Sequence, residues 1–489
     1  MYLTSPKPNL KNMKKLILST IAFLSIVSCE DRDDNVYVPD NNLEIQDFIW
    51  KGLNLWYYWQ DEVSDLADDR FSTNEEYAKY LDNYPDPFNL FDALSHPEDR
   101  FSYITDDYND LLNSQQGIFK TNGVEFGLSY KNGSSNEIFG YVWYILPGTD
   151  AEGKNISRGD IFTGVDGQTL TDTNYFELLF GSNDSYTLNM ADYDNGAFTS
   201  NGNEITLTKI DNYTENPIFI SKTIDYNNQK IGYLMYNGFT AQFDDELNNA
   251  FAQFKADGII DLILDLRYNP GGSVNSSANL ASMISSQSSN DLFIRLRYNN
   301  KIMAALGNSA TDYKFRTSIN GEAINGLNLN RVYVLTTGRT ASASELIING
   351  LDPYMEVIQI GTTTVGKNEA SVALFDSESY QYDDDTLNPN HTWGMQPIIS
   401  RNENSVGFSD YTDGFQPEIE LREDLDNMGV LGDINEPLLA RALQEISGVA
   451  AKAIPQITRP VESFKDSKIV RPLKDNMFIE TEKVKLKNF

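Results

Sequence analysis

The sequence predicts an α/β multidomain protein with a helical N-terminal region, a β-rich middle and an α/β core toward the C-terminus. Three observations carry this. Ile45, Phe48, Ile49, Leu53, Trp56 and Tyr57 fall at helical spacing. Between Asn122 and Gly167, short apolar runs are punctuated by glycine, as in a small β domain. From Leu262 to Ile360, apolar strand-like runs alternate with turns and helical patterns. At 489 residues and 40% hydrophobic, the chain has material for two or three globular domains.

The first segment sets the expected compartment. Lys11, Lys14 and Lys15 precede an apolar run from Leu16 to Val27 that ends at Ser28-Cys29. This reads as a secretory signal over 1–28, with Met13 an alternative start because Tyr2 to Asn12 fits no part of a signal. The run is shorter than the roughly 20 apolar residues needed to span a bilayer. Cys29 is the single cysteine, so no intramolecular disulfide is expected. Its position resembles a bacterial lipoprotein signal, which implies lipidation at Cys29. Ile26 departs from the usual leucine three residues earlier, and an ordinary signal with a chance cysteine is the alternative. Residues 29–44, opening with Glu30-Asp31-Arg32-Asp33-Asp34, read as an acidic tether. An acidic run after a lipidated cysteine resembles the lipoproteins of some Gram-negative outer membranes. The expected location is therefore the cell envelope, on the periplasmic or surface face, with the membrane reached through a lipid anchor only.

Charge and composition exclude several classes. The net charge of −33 argues against nucleic acid and against direct adhesion to anionic lipid. Two histidines and one cysteine leave no zinc constellation. The stretches Gly181–Ser185, Asp192–Gly196 and Asp383–Asp385 lack the spacing of a calcium loop and read as solvated turns. No metal and no cofactor are expected.

Residues 45–116 read as a helical domain, with a second helix over Asn74 to Asp82 and its aromatics forming a packing face. His96 lies in a loop and reads as a surface or capping residue. Residues 117–213 form the β-rich unit, 214–446 the α/β unit and 447–489 a proline-punctuated tail that reads as extended or partly disordered, with packing across the α/β unit or processing of the end as the alternatives.

The most informative motif is Thr340-Ala341-Ser342-Ala343-Ser344-Glu345, followed 25 positions after Ser342 by Lys367 in Val365-Gly366-Lys367. Arg331 to Thr336 reads as a buried strand, Thr337 to Thr340 as a turn, and Ser344 to Leu351 as a helix stopped at Asp352-Pro353. Ser342 then sits at a helix N-terminus, where free N–H groups favour developing negative charge. A serine there is also an ordinary N-cap. Glu356 to Ile360 is the next strand, and the order returns Lys367 toward Ser342. A neutral amine can activate a serine without histidine. Upstream, Leu262 to Leu266 reads as a buried strand ending in Arg267-Tyr268-Asn269-Pro270-Gly271-Gly272, with a helix from about Ser276 to Ile284. The adjacent glycines allow close backbone approach, and their N–H groups suit half of an oxyanion hole. An ordinary strand-to-helix turn has the same signature.

Taken together, Leu266-Arg267-Tyr268-Asn269-Pro270-Gly271-Gly272, Ser342-Ala343-Ser344-Glu345 and Gly366-Lys367 resemble the C-terminal processing (tail-specific) proteases, which are Ser/Lys serine peptidases. Ile231-Gly232-Tyr233 with Phe239, Gln396-Pro397 and Tyr411 to Glu418 resemble further segments of that family, so the likeness covers roughly residues 46–445. The resemblance implies Ser342 as nucleophile, Lys367 as general base, and an oxyanion hole from Ala343 and Gly271 or Gly272. It implies a catalytic core of the ClpP/crotonase-like type. Many members carry a glutamine four residues after the lysine to orient the amine; here that position is Ser371. Glu345 or Gln396 is the candidate to replace it, and Glu345 is expected to act through hydrogen bonds, since a nearby carboxylate raises a lysine pKa while burial lowers it.

The Asn122 to Leu128 loop, Pro147-Gly148 and Arg158 to Gly167 resemble a PDZ domain. That resemblance implies peptide capture by strand addition along Gly123, Val124, Phe126, Gly127 and Leu128. The expected function is a serine endopeptidase of the cell envelope that cuts polypeptides near exposed, unstructured C-termini. The alternatives are a catalytically weak or inactive peptide-binding lipoprotein scaffold, motivated by Ser371, and an acyl-transfer or hydratase enzyme on a related fold.

Overall fold

The computed structural model describes residues 42–306, 311–448, 463–471 and 475–479. The signal sequence, Cys29 and nearly all of the acidic tether lie outside the described residues. No helix among those described is long and apolar enough to cross a membrane.

The N-terminal helix Glu44–Trp56 buries Phe48, Ile49, Leu53 and Trp56, the apolar stripe its spacing dictates. Asn74–Asp82 follows as expected, capped by Thr73, whose hydroxyl accepts from the Glu76 N–H at 3.2 Å. Two further helices, Pro87–Leu94 and Asn109–Gln115, complete the helical part. Two features join this helical region to the α/β unit. Tyr103–Thr105 is a strand paired antiparallel with Gly394–Gln396. Its partner lies almost 300 residues away, so no local pattern announces it. In addition, Phe48, Leu53 and Trp56 share one continuous core with Leu264, Leu346 and Ile398. The helices are a wall of the α/β unit.

The β-rich unit is a sheet in the order Val124–Tyr130, Ile138–Ile145, Ile161–Val165, Ser185–Asp194 and Ala197–Thr208. Leu128, Val142, Phe162 and Leu188 fill its core. Asp192 to Gly196 is not simply a solvated turn: only Asn195 and Gly196, both at positive φ, make the turn, and the flanking residues extend a long hairpin. Polar outward-facing residues hid these strands. A short strand, Gln168–Thr169, pairs with Ile161–Val165, and the seventh strand of this sheet comes from the tail, where Ser463–Asp466 pairs antiparallel with the Val124–Tyr130 edge.

Two six-stranded sheets build the α/β unit. The first runs Ile218–Tyr226, Gln229–Tyr236, Asp261–Asp265, Arg331–Thr336, Glu356–Gly361 and Ile419–Glu420, parallel after its first pair. Its apolar β-branched strands are buried on both faces, as a parallel sheet requires. The second runs Gly272–Ser273, Met477–Phe478, Glu369–Ser371, Ile398–Asn404, Leu292–Tyr298 and Asp312–Lys314. The helix Ala343–Leu351 is buried along its whole length and packs on the helix Val274–Ile284 and on both sheets. At one end of the first sheet, Arg267 is fully buried. It bonds Asp265 and Glu436 through paired contacts and reaches Glu423 at 3.2 Å, so its charge is compensated on every side.

The tail departs most from expectation. The helix Pro437–Ser447 ends at Gly448 in the left-handed conformation. Beyond it, the described stretches are packed rather than loose: Met477, Phe478 and Ile479 are all buried. Three apolar residues inserted as an inner strand need no long hydrophobic pattern, which is why composition misses them.

Candidate active site

The site lies where the strands Asp261–Asp265 and Arg331–Thr336 end, beside the N-terminus of Ala343–Leu351. After Thr336 the chain turns back on itself, with the Thr340 N–H donating to Thr337 O at 2.9 Å. The Thr340 hydroxyl then donates to Leu266 O at 2.8 Å and the Ala341 N–H to Asn269 O at 3.1 Å. From the other side, the Val365 N–H donates to Thr340 O at 3.0 Å. Held by both segments, Ser342 adopts φ 64° and ψ −114°. Residues with a side chain avoid this region, at about 1–3 kcal/mol. The Ser342 Oγ is buried and has no hydrogen-bond partner among the described residues. Ser342 is the N-cap of this helix and shares a capping box with Glu345 through its N–H, but at a positive φ that an N-cap does not ordinarily adopt.

Glu345, at the third helical position, is the organiser. One oxygen accepts from the Ser342 N–H at 2.7 Å and the Lys367 N–H at 2.9 Å. The other accepts from the Thr364 hydroxyl at 2.5 Å and the Gly366 N–H at 2.6 Å. A single buried carboxylate thus fixes the backbones of both Ser342 and Lys367. Burial pushes its carboxyl up to about 7, against the pull of these four bonds. With each oxygen already accepting twice, no position is left for a proton, so we assign the carboxylate form at neutral pH.

The Lys367 side chain is fully buried. Burial drives its amine down to about 7, with Glu369 the largest of the acidic neighbours that pull it back up. The amine rests over the Phe101 ring at 4.2 Å and donates to the Asn476 side-chain oxygen. Gly366, with φ 82°, has no room for a side chain: a Cβ would meet Thr412 O at 2.2 Å. The Arg100 guanidinium donates to Gly366 O at 2.7 Å, tying the N-terminal wall to this loop.

Of the two candidates to orient Lys367, Glu345 reaches only its backbone. Gln396 acts at one remove: its amide donates to the Ser371 hydroxyl at 2.8 Å. Ser371 lies 3.1 Å from Asn476 Oδ1. The residue that holds the amine is Asn476, which no sequence signal singled out. Phe101 and Thr364 were also missed, although Thr364 sits three residues before Lys367.

Gly271 and Gly272 have φ of 110° and 133°, which only glycine adopts readily. A Cβ on Gly271 would lie 2.7 Å from the Ser342 Cβ, so this backbone packs directly on the serine. In this conformation the Gly271 N–H donates to Asn269 Oδ1 at 2.9 Å. Ala343 opens the helix and is buried beside Ser342.

At the β-rich unit, the side chains of Val124, Phe126 and Leu128 point into its core. The Gly123 N–H donates to the Thr121 hydroxyl and the Val124 N–H to Asn122 Oδ1. The Phe126 N–H donates to Ser467 Oγ, and Gly127 and Leu128 pair with the Ser463–Asp466 strand. A cavity of about 400 Å³ opens beside this loop, with Lys120, Lys209 and Arg471 on its wall. His96 stacks on Trp59 at 5.4 Å, away from Ser342. Among the described residues no cluster of side chains suits a metal ion.

Residues 230–384 match the family model for peptidase family S41, and residues 44–103 match the S41 N-terminal domain. Over these two segments, which carry the site and its N-terminal wall, the chain is similar to peptidase family S41. A carboxyl-terminal-processing protease from Synechocystis sp. is 24% identical over 330 residues, 67% of this chain and 68% of that protein. Its counterpart from Picosynechococcus sp. is 25% identical over 228 residues, 45% and 49% of the two chains. The chain spans about half to two-thirds of the length of such curated relatives. A crystal structure assigned to an S41 protease from Bacteroides fragilis is similar with a TM-score of 0.62 and 28% identity. It covers 85% of this chain and 99% of that one. The mixed α/β multidomain architecture is thus an S41 architecture.

Proposed function

We propose that this chain is a serine endopeptidase working through a Ser342/Lys367 dyad. The observation that carries the reading is a fully buried lysine amine, held down at about 7, in the same pocket as a strained and unpartnered serine hydroxyl. A lysine at its ordinary value is a cation at neutral pH and cannot accept a proton. At about 7 a large fraction is free base.

In this reading Lys367 swings from Asn476 to Ser342 and takes the hydroxyl proton. Ser342 Oγ bonds to the substrate carbonyl carbon. The oxyanion is met by the Ala343 N–H, at the positive end of its helix, and by the N–H of Gly271 or Gly272. Gly271 first gives up its bond to Asn269. The C–N bond then breaks as Lys367 protonates the leaving nitrogen, and water hydrolyses the acyl ester. No cofactor takes part.

The β-rich unit supports the reading of a PDZ-like capture domain. Its edge strand Val124–Tyr130 is suited to strand addition, as the tail strand Ser463–Asp466 seated along it illustrates, and the neighbouring cavity carries cationic side chains for a terminal carboxylate. The substrate class is then polypeptides with exposed, unstructured C-termini. The ClpP/crotonase-like description suits the two-sheet core. Lipidation at Cys29 and an envelope location complete the proposal, resting on sequence alone.

The test compares the chain from Asp31 with its Ser342→Ala and Lys367→Ala forms, each incubated with an unfolded protein and read by mass spectrometry. The proposal expects fragments from the parent and none from either variant. Equal fragmentation by all three would remove it, as would no fragmentation by the parent alongside retained binding of C-terminal peptides.

A further inference from the structure

Met477–Phe478 of the chain's own tail is an inner strand of the site. On one side it pairs in parallel with Gly272–Ser273, on the other with Ala370 and Ser371. Both neighbours flank the residues assigned to catalysis. The Ile479 N–H donates to Ser371 O at 3.0 Å, and the Ser371 hydroxyl donates to Met477 O at 3.0 Å. Met477 and Ile479 enter the main core, while Phe478 packs with Leu111 and Phe375. The register is therefore held by backbone and side chains together.

This register sets one peptide group at the serine. A Cβ built on Gly271 would be 3.0 Å from Asn476 O and 3.0 Å from Ser342 Oγ, so that carbonyl and the hydroxyl border the same point. The Asn476 side chain meanwhile holds the Lys367 amine and is backed by Ser371, which Gln396 supports. Asn476 supplies the amide oxygen that position 371 lacks.

Upstream, the same tail lies on the proposed capture edge. Ser463–Asp466 adds antiparallel to Val124–Tyr130, and Phe464 meets Tyr175 and Tyr130 at ring-centroid distances of 5.2 and 5.0 Å. Ser467 donates to Glu125, Lys468 to Tyr268 O at 2.8 Å, and Arg471 pairs with Glu125 and Glu215. The described stretches reach both the capture edge and the Gly271 backbone that packs on Ser342, as a substrate would.

We propose that the chain's own C-terminal segment is its first substrate, cut between Asn476 and Met477, with Asn476 recognised as the residue that orients the lysine. This rests on the dyad reading above. Ser342 Oγ bonds to the Asn476 carbonyl carbon and its proton passes to Lys367. The bond to the Met477 nitrogen breaks, and that nitrogen takes the proton. Water then cleaves the ester, leaving an Asn476 carboxylate, a free Ser342 and the released segment 477–489. The Gly272–Ser273 and Glu369–Ser371 edges are then open to a polypeptide from outside, with a preference for asparagine at the position of Asn476.

Intact-mass spectrometry of the full chain tests this, beside Ser342→Ala and Asn476→Leu forms prepared in the same way. The parent is expected to end at Asn476, at a rate independent of protein concentration, while Ser342→Ala keeps residues 477–489. Asn476→Leu is expected to be cut at least tenfold more slowly. Its circular dichroism spectrum and urea-unfolding midpoint report that it is folded, and a folded Asn476→Leu cut at the parental rate would overturn the role of Asn476. A parent that digests an added unfolded protein but retains its full mass overturns self-cleavage and leaves the dyad standing. So does a cut at another bond, or a rate that rises with concentration. A parent that digests nothing and stays intact overturns both.

Discussion

Exchanging Ser342 for glycine should stabilise the protein more than exchanging it for alanine, although both variants lose the proposed nucleophile. Ser342 holds φ 64° and ψ −114° because Thr340 and Ala341 are anchored to Leu266 and Asn269 while Glu345 grips its N–H. A side chain in that region costs about 1–3 kcal/mol. Alanine keeps the Cβ and therefore the strain. Glycine removes it but loses about 0.4–1 kcal/mol through the freer unfolded chain. Both variants lack the buried, unpartnered hydroxyl, whose desolvation costs about 1–3 kcal/mol, so that contribution cancels between them. Glycine should come out ahead of alanine by about 0.5–2 kcal/mol. Urea unfolding, with equal m-values required for the comparison, measures the difference. A glycine variant no more stable than the alanine variant would refute the idea that residue 342 bears the strain.

Three further outcomes follow from the same pocket. Lys367 is held below its ordinary value of 10.5 at about 7, so between those limits the unfolded chain binds the extra proton. The stability of the parent, relative to Lys367→Met, should therefore rise as pH increases from about 7 toward 10.5, measured by urea titrations across that window. Glu345→Gln turns an amide nitrogen toward donors that now meet a carboxylate oxygen. Losing two of the four bonds should cost about 2–4 kcal/mol and most of the activity, read by denaturation and peptide hydrolysis. Gly366→Ala sets a Cβ 2.2 Å from Thr412 O at a φ of 82°, and the variant should lose at least about 2 kcal/mol by the same unfolding assay.

The strands and helix around Ser342 were legible because each announces itself locally. Val332 to Leu335 is an unbroken apolar run, and Asp352-Pro353 stops the helix that follows. Ser342, Lys367, Glu345, Gly271 and Gln396 were legible for a different reason: their motifs are specific as a set, and the fold brings them to one pocket. What stayed hidden depends on pairing at a distance. Tyr103–Thr105 is a strand only because Gly394–Gln396 lies beside it. Met477–Phe478 is one only because Gly272–Ser273 and Glu369–Ser371 leave a gap of one strand. The sequence identified Ser371 as a departure and left its consequence open. The amide that compensates sits more than a hundred residues away in a segment whose composition reads as loose.

The tail also bears on how the proposed base, Lys367, is kept neutral. Lys367 is low because it is dry, and part of what dries it is the tail strand beside it, with Asn476 on its amine and Met477 behind Ser371. Once residues 477–489 depart, water reaches the amine and its pKa climbs toward the ordinary lysine value. A substrate strand entering the same gap would expel that water and lower it again. Catalysis would then be coupled to occupancy: an empty cleft holds a protonated, inactive lysine, and only a strand seated on both edges creates the base. The pH dependence separates this from a permanently neutral lysine. The midpoint in kcat, which reports the occupied enzyme, should stay near 7, while the midpoint in kcat/KM, which reports the free enzyme, should lie at least one unit higher. Coincident midpoints in the self-cleaved enzyme would mean that the walls of the pocket, Phe101 and Glu345 among them, keep Lys367 neutral without any strand in place.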